Sequence, residues 1–90
     1  MNKLESRYIL ALGTQVREED FGLLFYTMAG PRLYFLSSGK ILSSQFFESE
    51  STLNQWIKQK SGQEFVPDEQ IARIKKALGQ LREKGVIIEH

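Results

Sequence analysis

The residues that could do chemistry are few and scattered. Carboxylates cluster twice, at Glu18-Glu19-Asp20 and at Glu48 and Glu50. General acid–base work needs a carboxylic acid held at a raised pKa, which takes an apolar pocket. Both clusters fall in polar segments that read as solvated connections. The sole histidine is His90 and there is no cysteine. Neither a Ser/His/Asp relay nor a histidine- or thiolate-based metal set can be drawn from that supply. Gly30, Gly39, Gly62, Gly79 and Gly85 stand at element boundaries or within a helix, not in a phosphate-cradling loop. The pattern points away from an enzyme and towards a binding protein without a cofactor.

Binding chemistry is better represented. On a helical wheel that takes Ile71 as zero, Leu78 falls at about 340°, Ile74 at about 300° and Leu81 at about 280°. Lys75 and Arg82 fall at about 40° and 20°, on one shoulder of that stripe. Ile71, Lys75, Leu78 and Arg82 thus form a ridge that is half apolar and half basic. The plainer reading is a core stripe whose long basic side chains run along its border. A second surface is the run Arg32-Leu33-Tyr34-Phe35-Leu36-Ser37. It places Leu33 and Phe35 on one strand face and Tyr34 and Leu36 on the other, so both faces need cover. If the helix leans across this strand, the two border a groove in which an extended peptide can add as a further strand. Arg32, Lys75 and Arg82 would favour a peptide rich in Asp or Glu.

The elements that must position these residues follow from the apolar pattern. Tyr8–Leu12 is a short apolar run closed by Gly13 and reads as a strand. Thr14–Asp20 reads as a charged loop. Leu23–Met28 and Arg32–Ser37 flank Ala29-Gly30-Pro31 and read as a hairpin. Three strands in a meander leave two edges, and the third strand is the candidate for the open one. From Ser38 the pattern turns helical. Lys40–Phe47 carries Ile41, Leu42, Phe46 and Phe47 on one face. Thr52 and Gln55 match a capping box ahead of Leu53, Trp56 and Ile57, and Ser61-Gly62 stops that helix. Pro67 reads as the first residue of the last helix, with Asp68 and Glu69 near its positive end and Gly85 beyond its C-terminus. Gly79, inside that helix, suggests close backbone approach by a neighbour or ligand, or simple tolerance. Val86-Ile87-Ile88 returns apolar side chains to the core, in a short strand.

The 90 residues make one domain, with strands over about 8–37 and helices over about 38–85. Twelve basic against eleven acidic residues leave no field for nucleic acid or an anionic membrane. No apolar run approaches the roughly 20 residues that span a bilayer. A cytoplasmic location is expected. The fold class is α+β: a three-stranded antiparallel sheet followed by three helices, close to a winged helix-turn-helix.

Val16-Arg17-Glu18-Glu19-Asp20-Phe21-Gly22, then Tyr26, Gly30 and Arg32-Leu33-Tyr34-Phe35-Leu36-Ser37, resemble the mycofactocin biosynthesis chaperones. Those are PqqD-like peptide-recognition elements of modified-peptide pathways. The Leu78-x-x-Leu81-x-x-x-Gly85-Val86-Ile87 ending is similar to the family at a coarser level, whereas Ser37-Ser38 stand where PqqD-like chains often carry Leu-Asn. The resemblance implies a precursor peptide, acidic in character, bound as an added strand between the third strand and the third helix. It also implies presentation of that peptide to a radical-SAM maturase, which carries the iron–sulfur clusters itself. On these grounds the peptide-binding residues are Arg32, Leu33, Tyr34, Phe35, Leu36, Ile71, Lys75, Leu78 and Arg82.

Two other readings share these elements. A winged-helix nucleic-acid binder has the same small sheet and helices, but a net charge of +1 and Asp68, Glu69 and Glu83 in the last helix oppose it. A homodimer through edge association of Leu33–Leu36 is the other.

Overall fold

The computed structural model of the chain describes residues 7–28, 32–60 and 66–89. Met1–Ser6, the Ala29-Gly30-Pro31 turn, the Ser61-Gly62 stop and His90 lie outside the described residues. The fold is α+β. Strands β2 (Thr14–Glu19), β3 (Gly22–Thr27) and β4 (Arg32–Leu36) form an antiparallel sheet in the order β2-β3-β4. Strand β1 (Tyr8–Leu10) pairs antiparallel with β5 (Ile87–Glu89) in a separate two-stranded ribbon. Between the sheet and β5 come a 3-10 helix at Ser44–Glu48 and two α-helices, α1 (Leu53–Lys60) and α2 (Asp68–Glu83).

The three-stranded sheet is not the meander expected from the apolar runs. Its first strand is Thr14–Glu19, read from sequence as a charged loop, and Tyr8–Leu10 is not part of it. The reason lies in edge position. Among the described residues strand β2 pairs on one side only, from Thr14↔Thr27 to Glu19↔Gly22, and needs one sheltered face. Thr14 and Val16 lie on that face, and Gln15 and Arg17 carry polarity to solvent. Leu12-Gly13, with Gly13 at φ +87°, turns the chain out of β1 before this strand begins.

The β2–β3 turn is held against the end of β4. Gly22 sits at φ +147°, and a Cβ there would run into the Leu36 carbonyl oxygen and come within 2.5 Å of the Ser38 nitrogen. Only glycine lets the two segments approach this closely. The Gly39 N–H also donates to the Phe21 carbonyl at 2.8 Å. Phe21-Gly22 is therefore a packing requirement rather than a loose turn.

The sheet's inner face, with Leu23, Phe25 and Leu36, meets Phe46 and Phe47, Leu53 and Trp56, and Ile74, Leu78 and Leu81 in one buried cluster. Edge-to-face rings lock part of it: Phe25 to Phe47 at 5.5 Å and Phe46 to Trp56 at 5.6 Å. The Trp56 indole also donates to the Ile41 carbonyl at 2.9 Å, tying the loop after β4 to α1.

The helical half follows local rules with one exception. Thr52 and Gln55 form the expected capping box, Thr52 N–H to Gln55 Oε1 at 3.0 Å and Gln55 N–H to Thr52 Oγ1 at 3.2 Å. Pro67 is the N-cap of α2, so the helix starts one residue later than its spacing suggests. At the other end Gly85, at φ +80°, completes a Schellman motif: Val86 N–H donates to Leu81 and Gly85 N–H to Arg82, both at 3.0 Å. The exception is Lys40–Phe47, where a single 3-10 turn replaces an α-helix. Ser43 caps that turn by accepting from the Gln45 N–H, and Ile41 and Leu42 precede it in non-helical backbone. Serines compete for backbone hydrogen bonds and start the helix late. Outside the backbone of its own helix, no atom of the described residues lies within 4 Å of where a Cβ of Gly79 would stand, so close approach by a described neighbouring element does not explain it.

Candidate functional site

Among the described residues, strand β4 has a hydrogen-bonded neighbour on one side only, β3, and is an edge of its sheet. Its alternation is as the sequence suggests. Leu33 and Phe35 face outward at 54% and 63% exposure, and Tyr34 and Leu36 face the core. Helix α2 packs against both β4 and β5, bringing the open strand and the last helix side by side.

The individual residues divide into three groups. Arg32, Leu33 and Phe35 are exposed, with Tyr34 half-buried. Leu36 and Leu78 are buried in the core, and Ile71 packs at its border. Lys75 and Arg82 are exposed on α2, but Arg82 turns to β5: its Nη1 donates to Glu89 Oε1 at 2.5 Å, and Nη2 lies 3.7 Å from Glu83 Oε2. The hydrogen bond and charge of Glu89 hold the Arg82 guanidinium above its ordinary pKa. Arg82 thus joins α2 to β5, and a different cation stands opposite Arg32.

That cation is Lys84. A depression of about 400 Å³ lies at the start of β4, lined by Arg32 and Tyr34 on the strand side and by Lys84 and Gly85 just past α2. Leu12, Thr14 and Thr27 complete its walls. Helical spacing puts Lys84, like Arg73, on the side opposite the ridge; that placement fails because Lys84 is the C-cap residue, where the wheel no longer applies.

A second surface escaped the sequence reading. The outward face of the sheet carries Leu24 and Tyr26 on β3, opposite Phe35 and Leu33 on β4. Phe21 adds its ring, 5.8 Å from that of Phe35. The near-continuous apolar run of β3 hid which of its residues point outward; registering it against β4 separates them.

The acidic cluster Glu18–Asp20 has structural partners. Glu18 Oε2 accepts from the Ser44 N–H at 2.9 Å and from the Ser44 hydroxyl at 3.1 Å, so it fastens the 3-10 turn to β2. Those bonds hold the Glu18 carboxyl below its ordinary value, the reverse of what a general acid needs. Glu19 pairs with Arg17 at 2.6 Å. Among the described residues no group of three or more His, Asp or Glu side chains could hold a metal ion. None of the described helices is long and apolar enough to cross a membrane.

The model of the peptide chaperone MftB family matches residues 7–88, from the residue before β1 into β5. The chain belongs to that family. An MftB-family chaperone serves mycofactocin biosynthesis, and membership implies a precursor peptide as partner and a role other than catalysis. No curated protein and no solved structure matches the chain.

Proposed function

We propose that this MftB-family chain binds its precursor peptide as an added strand on β4, in the groove bordered by α2, and presents it to a radical-SAM maturase. The observation that carries the reading is the edge of β4, unpaired among the described residues and lying beside α2. An unpaired edge is an aggregation liability, and a strand-forming partner is a physical reason to keep one.

In this reading Arg32, Leu33, Tyr34, Phe35 and Leu36 offer main-chain hydrogen bonds, and Leu33 and Phe35 add apolar contact on the outward side. Ile71 and Lys75 contribute from the helix. Leu78, with its side chain in the core, sets the distance between α2 and the sheet. Arg82 braces α2 against β5 and keeps the groove wall in place. The 3-10 turn would stand for the first of three helices in a winged helix-turn-helix-like arrangement, and a reducing, cytoplasmic setting agrees with the absence of cysteine.

A second reading follows from the same edge: β4 of one copy pairs with β4 of another. Exposed Leu33 and Phe35 favour it, and peptide binding would compete with it. The test is a titration of the chain with the labelled precursor peptide, with particle size followed by light scattering. Saturable one-to-one binding that holds or restores the monomer supports the proposal. Absence of binding, with association that rises with concentration, would leave only the dimer.

A further inference from the structure

Apart from Lys75 on α2, the basic residues beside the groove gather at one end. Arg82 already carries two carboxylates, Glu89 and Glu83. Arg32 and Lys84 line a common depression of about 400 Å³ to which no Asp or Glu among the described residues contributes. Neither has an ion-pair partner among the described residues. The last carbonyls of α2 do not cancel this charge, since those of Gln80, Leu81 and Arg82 accept from the N–H groups of Lys84, Val86 and Gly85. Two cations with no ion-pair partner among the described residues, beside the half-buried ring of Tyr34, make a site for one carboxylate.

Resting on the β4 groove as the peptide site, we propose that this depression anchors the bound peptide by one acidic side chain, clasped between Arg32 and Lys84. The position also orients the peptide. Strand β4 runs from Arg32 at the depression to Leu36 at the far end. A strand added antiparallel, in keeping with the rest of the sheet, brings its C-terminal end to Arg32. The anchoring Asp or Glu therefore stands at the C-terminal end of the bound segment, and the residues before it run along β4 towards Leu36.

The test uses fluorescein-labelled precursor peptide, and a set of its variants in which each Asp or Glu is replaced singly by Asn or Gln. These are titrated against the wild-type chain, the R32Q/K84Q double variant and an R73Q/K76Q control with the same loss of charge on the exposed side of α2. R32Q/K84Q should bind about tenfold or more weakly, as expected for charge-assisted hydrogen bonds, while the control stays within about twofold. One peptide substitution, at the C-terminal end of the segment, should reproduce the loss and add little to R32Q/K84Q. Unchanged binding by R32Q/K84Q, equal losses in the control, fully additive losses, or a critical carboxylate at the N-terminal end would each overturn the subsite while the groove stands. Failure of the wild-type chain to bind any peptide of the set would instead overturn the groove, and the subsite with it. Unchanged melting temperatures of both double variants separate all of these from unfolding.

Discussion

Arg82 Nη1 stands 2.5 Å from Glu89 Oε1, joining the last turn of α2 to the closing strand β5. The bond explains how a basic residue on the groove helix can be spoken for within the chain. Both side chains are partly exposed, so solvent screens the pair and its contribution to stability is small. Arg82→Gln should lower stability only slightly, with a difference that shrinks as salt rises. Urea unfolding at low and high ionic strength measures it, and a large loss that ignores salt would mean the pair is not the relevant contact.

Glu18 supplies a pH signature. Its folded pKa lies below the ordinary carboxyl value because Ser44 donates twice to the charged form. Between the folded and unfolded values the unfolded chain binds more protons, so stability rises with pH there. The contribution is present above the unfolded value of about 4.3 and is lost as pH falls through the folded one. Melting curves from pH 6 down to pH 3 should fall more steeply for the wild type than for Glu18→Gln. Parallel curves would remove Glu18 as the source.

Glycines at two positions should respond with opposite signs. Gly22→Ala forces a Cβ onto the Leu36 carbonyl at a positive φ and should cost about 2 kcal/mol or more. Gly79→Ala meets only open space in a helix interior and should gain about 0.5–1 kcal/mol. Chemical denaturation of both variants checks the pair of signs.

Ser38 yields a less expected outcome. It is fully buried, and its hydroxyl has no hydrogen-bond partner among the described residues. Ser38→Ala removes an unsatisfied group without opening a large cavity, so stability should hold or rise by about 1 kcal/mol. A clear loss of stability would reveal a partner for that hydroxyl.

Much of the fold is legible in the sequence where local chemistry decides it. The Thr52/Gln55 box, the Ile71–Leu81 stripe and the Gly85 cap each need only a few neighbouring residues, and each appears as spaced. What escaped depends on distant pairing. Thr14–Glu19 is a strand because β3 pairs with it, and its outward charges mask the inward Thr14 and Val16. Tyr8–Leu10 finds its partner in Ile87–Glu89 at the other end of the chain, a pairing no local pattern encodes. For the site, the two faces of β4 could be read from alternation alone. The meeting of Arg32 with Lys84 could not, because it depends on where α2 ends against the sheet.

The central claim is that a peptide becomes the strand next to β4. Hydrogen–deuterium exchange resolved to single amides, with and without the precursor peptide, tests it most directly. Amides of Arg32–Leu36 that point away from β3 should slow on binding, while those of β2, the opposite edge, stay unchanged. Protection confined to β2 or to the outward face of β3, with β4 unaffected, would contradict the account.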